Sequence, residues 1–166
     1  MTTKILFDTD PGIDDAMALF MLARDPRAEL VGITTVFGNA SVDTTTRNAL
    51  SLRERFGIHH VPVARGAARA IVKPSSGYAD FVHGQDGLGD VGTAPAENDT
   101  LDGRAAALFI IEMARRYSGE LVLVPVGPLT NIAHALQIDP DLPRHVRGVV
   151  LMGGAFRHDG NVTAAA

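Results

Sequence analysis

Short apolar segments separated by helix-like stretches are the feature that most restricts how this chain can fold. Five segments are typical of β-strands, and they cover residues 4–7, 30–36, 61–64, 121–126 and 146–152. Several are apolar without alternation, as expected for strands buried on both faces of a sheet. Because the stretches between them have helical spacing, the pattern predicts βαβ units. We therefore expect an α/β fold with an open, mostly parallel sheet and helices on both faces.

Three of the intervening helices have recognisable ends. Ser41 is placed to cap a helix that ends before Gly57. A second helix is expected to include Ala105 and to stop near Gly119, and a third is expected to begin at Pro128 and to stop before Pro140. Residues 66–100 interrupt this alternation of strands and helices, because they are rich in Gly, Pro, Ser and Asp and show no sustained hydrophobic period. A segment of this length and composition is more often functional than incidental, and it could form a lid.

Composition excludes several classes of protein. The 166 residues are 46% hydrophobic and 20% charged, which suits one domain over 1–166 with a substantial core. The net charge is −4 and no basic stretch is present, so we expect no nucleic acid partner. No apolar run approaches the roughly 20 residues that span a bilayer. Together with the absence of cysteine, this leads us to expect a cytoplasmic protein without a membrane partner.

Four aspartates, Asp8, Asp10, Asp14 and Asp15, crowd the junction after the first strand. Ligands of open α/β sheets bind beyond the carboxyl ends of the strands, so this junction is a candidate site. Asp10 could cap the next helix, with Pro11 in its first position and the last two aspartates at the positive end of its dipole. That explanation suits one or two aspartates, whereas four would repel one another unless a cation neutralised them. The pattern therefore predicts a divalent metal bound by Asp10 and Asp15, with Asp14 pointing elsewhere on the helix and free to bond a substrate.

A nine-residue motif and five further blocks resemble the inosine-uridine preferring nucleoside hydrolases. The motif is "DTDPGIDDA", and the blocks follow in order as "TTVFGN", "VPVARGAAR", "HGQDGLGD", "VPVGPLTNIAHAL" and "VLMGGAF" with "GNVT". This resemblance implies a Rossmann-like nucleoside hydrolase fold. It also implies Ca²⁺-dependent hydrolysis of the N-glycosidic bond of ribonucleosides, giving free base and ribose in purine or pyrimidine salvage.

The same resemblance implies roles for individual residues. Asp10 would bind Ca²⁺ and act as general base toward a metal-activated water. Asp15 would be a second metal ligand, and the carbonyl oxygen of Val126 would complete part of the shell. Asp14 and Asn39 would bind the ribose hydroxyls. On the residues alone, Asn39 has an equally good interpretation as a turn residue.

Three further residues would line the substrate pocket by resemblance: Met152 and Asn161 beside the sugar, and His83 near the base. Without the resemblance, His83 would be assigned to a loop and Met152 to the core. Family members are usually homodimers or homotetramers, which implies a homo-oligomer. The family is also longer, and its distal histidine and last aspartate ligand would fall after Ala166. We therefore expect the chain to correspond to the N-terminal portion of the family fold, apparently truncated, with weak metal binding and little hydrolysis if it is complete.

Two other functions fit part of the pattern. The stretch "ILFDTD" also matches haloacid dehalogenase-like phosphatases, in which Asp8 would be the nucleophile and Asp10 an acid/base beside Mg²⁺. That class needs a downstream lysine and a further acidic pair, yet the only lysines here are Lys4 and Lys73. A non-catalytic binder of nucleosides or ribose would show affinity without turnover.

Overall fold

The computed structural model describes residues 2–74, 77–97 and 100–160. Its strands are β1 (Thr3–Thr9), β2 (Ala28–Thr35), β3 (Val63–Ala64), β4 (Leu121–Pro125) and β5 (Val146–Val149). Its helices are α1 (Ile13–Arg24), α2 (Val42–Arg55), α3 (Asp80–His83), α4 (Ala106–Arg116), α5 (Thr130–Ile138) and α6 (Leu142–His145). The strands form one parallel sheet in the order β3-β2-β1-β4-β5. The predicted open α/β sheet is confirmed.

The strand boundaries differ slightly from those predicted. β3 is limited to two residues, and β5 ends at Val149 rather than at residue 152. Backbone pairing nevertheless continues past β5. The N–H of Val150 donates to the carbonyl of Leu123 at 2.9 Å, and the N–H of Met152 donates to the carbonyl of Pro125 at 3.1 Å. The segment up to Met152 is therefore held to the sheet as predicted.

Two predicted helix starts are confirmed or nearly so, and one is wrong. Ser41 caps α2, since its Oγ accepts the N–H of Thr44 at 3.2 Å. α5 begins two residues after Pro128, which is the usual variation at a helix end. Asp10 does not cap α1: the N-cap is Gly12, whose N–H donates to Asp15 Oδ2 at 3.1 Å. Asp10 is therefore available for another role.

Helices cover both faces of the sheet. α1 and α2 pack on one face around Phe7, Leu19 and Ile33, and α4 and α5 pack on the other around Leu6 and Phe109. Phe109 lies so close to β2 that a Cβ on Gly32 would be 2.5 Å from its ring. None of the helices in the described ranges is long and apolar enough to cross a membrane.

The described part of the 66–100 segment contains ordered structure. It includes α3 and, directly after it, a compact turn over residues 84–90. The turn contains three glycines with positive φ, at residues 84, 87 and 89, and buries Leu88 in the core on the α1–α2 side. The segment that could form a lid is, at this point, attached to the body of the protein.

Candidate active site

The site lies at the carboxyl end of the central strand. β1 and β4 are neighbours, yet α1 and α5, which follow them, pack on opposite faces of the sheet. Such a point, where the strand order reverses, opens the crevice in which α/β proteins bind ligands. The aspartates of the first strand and turn lie at this end of β1, where such a crevice is expected.

Asp8 occupies the deepest position. Its side chain is fully buried, and its Oδ1 accepts hydrogen bonds from the hydroxyl of Thr34 at 2.5 Å and from Nδ2 of Asn131 at 2.7 Å. Its Oδ2 is buried without a hydrogen-bond partner among the described residues. Burial raises the pKa of Asp8 to about 6, although the two donors oppose this shift.

Asn131, on α5, connects three strand ends beneath the site. Besides its bond to Asp8, Nδ2 donates to the carbonyl of Thr35 at 2.9 Å, and Oδ1 accepts the N–H of Ala67 at 2.9 Å. The segment following β3 passes so close that a Cβ on Gly66 would overlap the Asn131 side chain. One buried amide thus joins β1 to the ends of β2 and β3.

Asp10 is enclosed by backbone. It is 5% exposed, and its Oδ2 accepts the N–H of Asn39 at 2.7 Å. A Cβ on Gly38, after β2, or on Gly127, after β4, would overlap the carboxylate, so both turns need glycine to approach it. Burial, followed by the negative charge of Asp15, raises the pKa of Asp10 to about 8. The turns after β2 and β4 therefore enclose the Asp10 carboxylate in surroundings that disfavour its negative charge.

Asp15 lies beside Asp10 and is linked to it through Asn39. The hydroxyl of Thr9 donates to Asp15 Oδ1 at 2.6 Å. Nδ2 of Asn39 donates to Asp15 Oδ2 and to the carbonyl of Asp10, both at 3.1 Å. Burial raises the pKa of Asp15, and the bonds from Thr9 and Gly12 oppose the shift. The predicted ligand pair is thus brought together at the end of β1.

Asp14 and His83 form the outer part of the site. The Asp14 side chain is 73% exposed, whereas that of His83 is 10% exposed. His83 Nδ1 accepts the N–H of Ile13 at 3.2 Å, so the neutral ring carries its proton on Nε2. Asp14 Oδ1 stands 4.0 Å from the same Nδ1 and forms no ion pair with it in this tautomer. His83 therefore belongs to the helix start that carries Asp14 and Asp15.

The remaining predicted site residues are Val126, Met152 and Asn161. Val126 directly follows β4, donates its N–H to the carbonyl of Asp8 at 2.9 Å, and precedes the Gly127 that adjoins Asp10 Oδ1. Its carbonyl is thus part of a peptide beside the carboxylate. Met152 is 69% exposed, so the interpretation as a core residue is wrong. Asn161 lies outside the described residues.

The surroundings of Asp10 and Asp15 suit a hard divalent cation. Burial raises the pKa of both carboxyls, and the negative charge of Asp15 adds to the shift of Asp10 as that of Asp14 adds to the shift of Asp15, so a cation would stabilise both ionised forms. Carboxylate and carbonyl oxygens are the ligands that Ca²⁺ prefers. No three His, Asp or Glu side chains in residues 2–74, 77–97 and 100–160 form a complete metal-holding group. This part of the chain would supply two carboxylates and a carbonyl toward the six to eight oxygens that Ca²⁺ takes.

Sequence reasoning missed the residues that support the aspartates. Thr9, Thr34 and Asn131 each bond a buried carboxylate, yet none was singled out. For Thr9 and Thr34 the available signal was a polar residue at the end of an otherwise apolar strand, whereas Asn131, on α5, gave no such signal. The same network argues against the phosphatase alternative, because a fully buried Asp8 bonded to two donors cannot reach a phosphate.

The family model that matches this chain and two similar relatives are all named as nucleosidases or nucleoside hydrolases. Residues 5–166 match the family model described as inosine-uridine preferring nucleoside hydrolase. Uridine nucleosidase 1 of Arabidopsis thaliana is 45% identical over 98% of this chain and 48% of its own length. The inosine-uridine preferring nucleoside hydrolase of Leishmania major is 42% identical over 100% and 52%.

Solved structures agree with this assignment. A plant nucleoside hydrolase, the PpNRh1 enzyme, superimposes with a TM-score of 0.94 at 38% identity, covering 100% of this chain and 52% of its own. A purine-preferring ribonucleoside hydrolase from Gardnerella vaginalis gives a TM-score of 0.92 at 37% identity, over 97% and 52%. The chain spans about half the length of the relatives it matches. It belongs to the inosine-uridine preferring nucleoside hydrolase family.

Proposed function

We propose that this protein hydrolyses the N-glycosidic bond of ribonucleosides to free base and ribose. The observation that carries the proposal is the buried pair of Asp10 and Asp15, bridged by Asn39 in the crevice beyond β1. Relatives named uridine nucleosidase and inosine-uridine preferring nucleoside hydrolase support a ribonucleoside substrate.

Asp10, Asp15 and the carbonyl of Val126 are the groups that would hold Ca²⁺. When bound, the ion would offset the charge of the two carboxylates and lower the pKa of nearby water. The enclosure of Asp10 by Gly38 and Gly127 fixes its carboxylate against the crevice. A fixed position matters because a general base must lie within hydrogen-bond reach of the proton that it accepts.

In the reaction, Asp10 accepts a proton from water while the water oxygen bonds to C1′ of the ribose. The C1′–N bond breaks, and its electron pair leaves with the base, whose nitrogen takes a proton from solvent while Asp10 returns its own proton to solvent. Positive charge develops on the ribosyl ring in this type of transition state. The carboxylate of Asp14, whose charge the ion would not offset, keeps the pocket negative, so the pocket would bind that state more tightly than the neutral nucleoside.

Asp14 and Asn39 would orient the ribose by bonding its hydroxyls. The exposed carboxylate of Asp14 can accept a hydrogen bond from substrate, and Asn39 Oδ1 accepts none from any described residue. His83 would present its Nε2–H toward the base, since Nδ1 is engaged by Ile13. Met152 and Asn161 remain predictions for the sugar pocket.

Release of reducing sugar from inosine and uridine tests the proposal. We expect ribose to appear with Ca²⁺, to disappear with chelator, and to fall at least about 10²-fold in Asp10→Asn, because general bases contribute that much. Asp141→Asn, an exposed carboxylate ion-paired with Arg144 on α6, is the matched control. Phosphate release from p-nitrophenyl phosphate, or nucleoside binding without sugar release, would contradict it.

A further inference from the structure

We propose that Asn48, on α2, is a positioning residue that holds the His83-bearing turn against the turn between β1 and α1. The inference rests on the proposed function, since it concerns how His83 reaches the substrate. Among the described residues, Asn48 forms no hydrogen bond with either carboxylate of the pair, and it acts through two backbone carbonyls.

The contacts of Asn48 join two loops. Its side chain is 2% exposed, and Nδ2 donates to the carbonyl of Asp86 at 2.9 Å and to the carbonyl of Pro11 at 3.3 Å. Arg47 donates to the same Asp86 carbonyl at 3.3 Å. In the sequence, Pro11 lies between Asp10 and Asp15, the buried carboxylate pair. Asp86 lies three residues after His83. One amide group therefore links the two segments directly.

The turn that Asn48 holds is stabilised by its own hydrogen bonds, so we expect its residues to move together when Asn48 is replaced. Asp86 Oδ1 accepts the N–H of Leu88 at 2.7 Å and the N–H of Asp90 at 2.9 Å. Gly87 has φ +79°, and a Cβ there would stand 2.9 Å from Asn48 Nδ2. A residue with a side chain at this position would be strained and would push the amide away.

The position of this turn determines the position of His83. The N–H of Gly89 donates to the carbonyl of His83 at 2.6 Å, and the first residue before α3, Ala79, donates its N–H to the carbonyl of Asn39 at 3.3 Å. α3 is thus attached at one end through Asn39 and at the other through Asn48. Loss of the second attachment would let the His83 ring leave the N–H of Ile13.

Hydrogen exchange on the full chain tests the attachment. Asn48→Asp keeps the side-chain shape but points an oxygen at two carbonyls, and Asn48→Ala removes both bonds without adding charge. Ser51→Ala is the control, because Ser51 is also buried on α2 and its hydroxyl donates to the Arg47 carbonyl of its own helix. We expect the amides of residues 87–90 to exchange at least tenfold faster in both Asn48 variants, with β1 unchanged. Unchanged exchange in the turn, or an equal rise in β1, would overturn the proposal.

Inosine kinetics test the consequence for the site. In Asn48→Ala we expect KM for inosine to rise at least threefold with kcat changed less, and in Ser51→Ala we expect both to stay at the wild-type values. Faster exchange in the turn with an unchanged KM would refute the positioning role. If the wild type neither binds nor cleaves inosine, the proposed function fails, and the exchange experiment still decides whether Asn48 holds the turn.

Discussion

Substituting Asp8 by asparagine should change how stability depends on pH. The substitution keeps Oδ1, which accepts from Thr34 and Asn131, and replaces the unpartnered Oδ2 by an amide nitrogen. It removes a buried negative charge without disturbing either bond. The amide nitrogen lacks an acceptor, which costs about 1–3 kcal/mol at every pH.

The magnitude follows from the pKa of Asp8. Burial raises this pKa from 3.8 to about 6, and one unit corresponds to 1.36 kcal/mol, so the shift is worth about 3 kcal/mol. Because the native pKa is raised, this stabilisation is complete below pH 3.8 and is lost as the pH rises through 6. The wild type should therefore lose about 3 kcal/mol between pH 4 and 7 that Asp8→Asn retains.

Urea unfolding in chelator, at half-unit steps from pH 4 to 7, measures both proteins. The difference in unfolding free energy, variant minus wild type, should increase by about 3 kcal/mol across this range, and the constant amide cost cancels in that increase. Asp10 stays protonated over most of the range in both proteins, because its pKa is about 8. A difference that is independent of pH, or that decreases, would refute the assignment of a buried, destabilised charge to Asp8.

Other predictions concern the same region. Gly38→Ala should weaken Ca²⁺ binding at least tenfold in calorimetry, because its Cβ would overlap the Asp10 carboxylate, while Gly103→Ala, whose Cβ meets open space, should bind as the wild type. Asn131→Leu should destabilise the protein by about 1–3 kcal/mol in urea unfolding, because Asp8 Oδ1 and the carbonyl of Thr35 both lose a buried donor. A loss below 1 kcal/mol would show that the amide is dispensable. Uridine should be cleaved up to about 10⁴-fold faster than 2′-deoxyuridine in a sugar-release assay, and equal rates would exclude bonds to the 2′-hydroxyl.

The sheet could be predicted because its physical signals are local. Apolar strands, the Ser41 cap and the breaks at Gly57 and Pro140 each depend on a few neighbouring residues. The start of α1 was harder to predict, because two arrangements can satisfy the unpaired backbone N–H groups at the beginning of the helix. Asp10 as cap was the simpler of them, yet Asp15 reaches back to Gly12 and performs that function. Local propensity alone does not distinguish the two.

The aspartate cluster was visible in the sequence, but its supports were not. Asn131 lies 123 positions from Asp8, and Asn48 contacts carbonyls 37 and 38 positions away, so neither pairing leaves a local pattern. The segment around His83 was expected to lack structure because its glycines show no period. Its order comes from Leu88 in the core and from bonds to α2, which only the folded chain provides.

Calorimetric titration with Ca²⁺ near pH 7.5 tests the account most directly, because the proposed chemistry depends on a cation between Asp10 and Asp15. The wild type should bind Ca²⁺ with a measurable heat, and Asp10→Asn and Asp15→Asn should each abolish that heat. Asp141→Asn should bind as the wild type does. Equal heats in all four proteins, or none in the wild type at millimolar Ca²⁺, would contradict the assignment of this carboxylate pair to a metal.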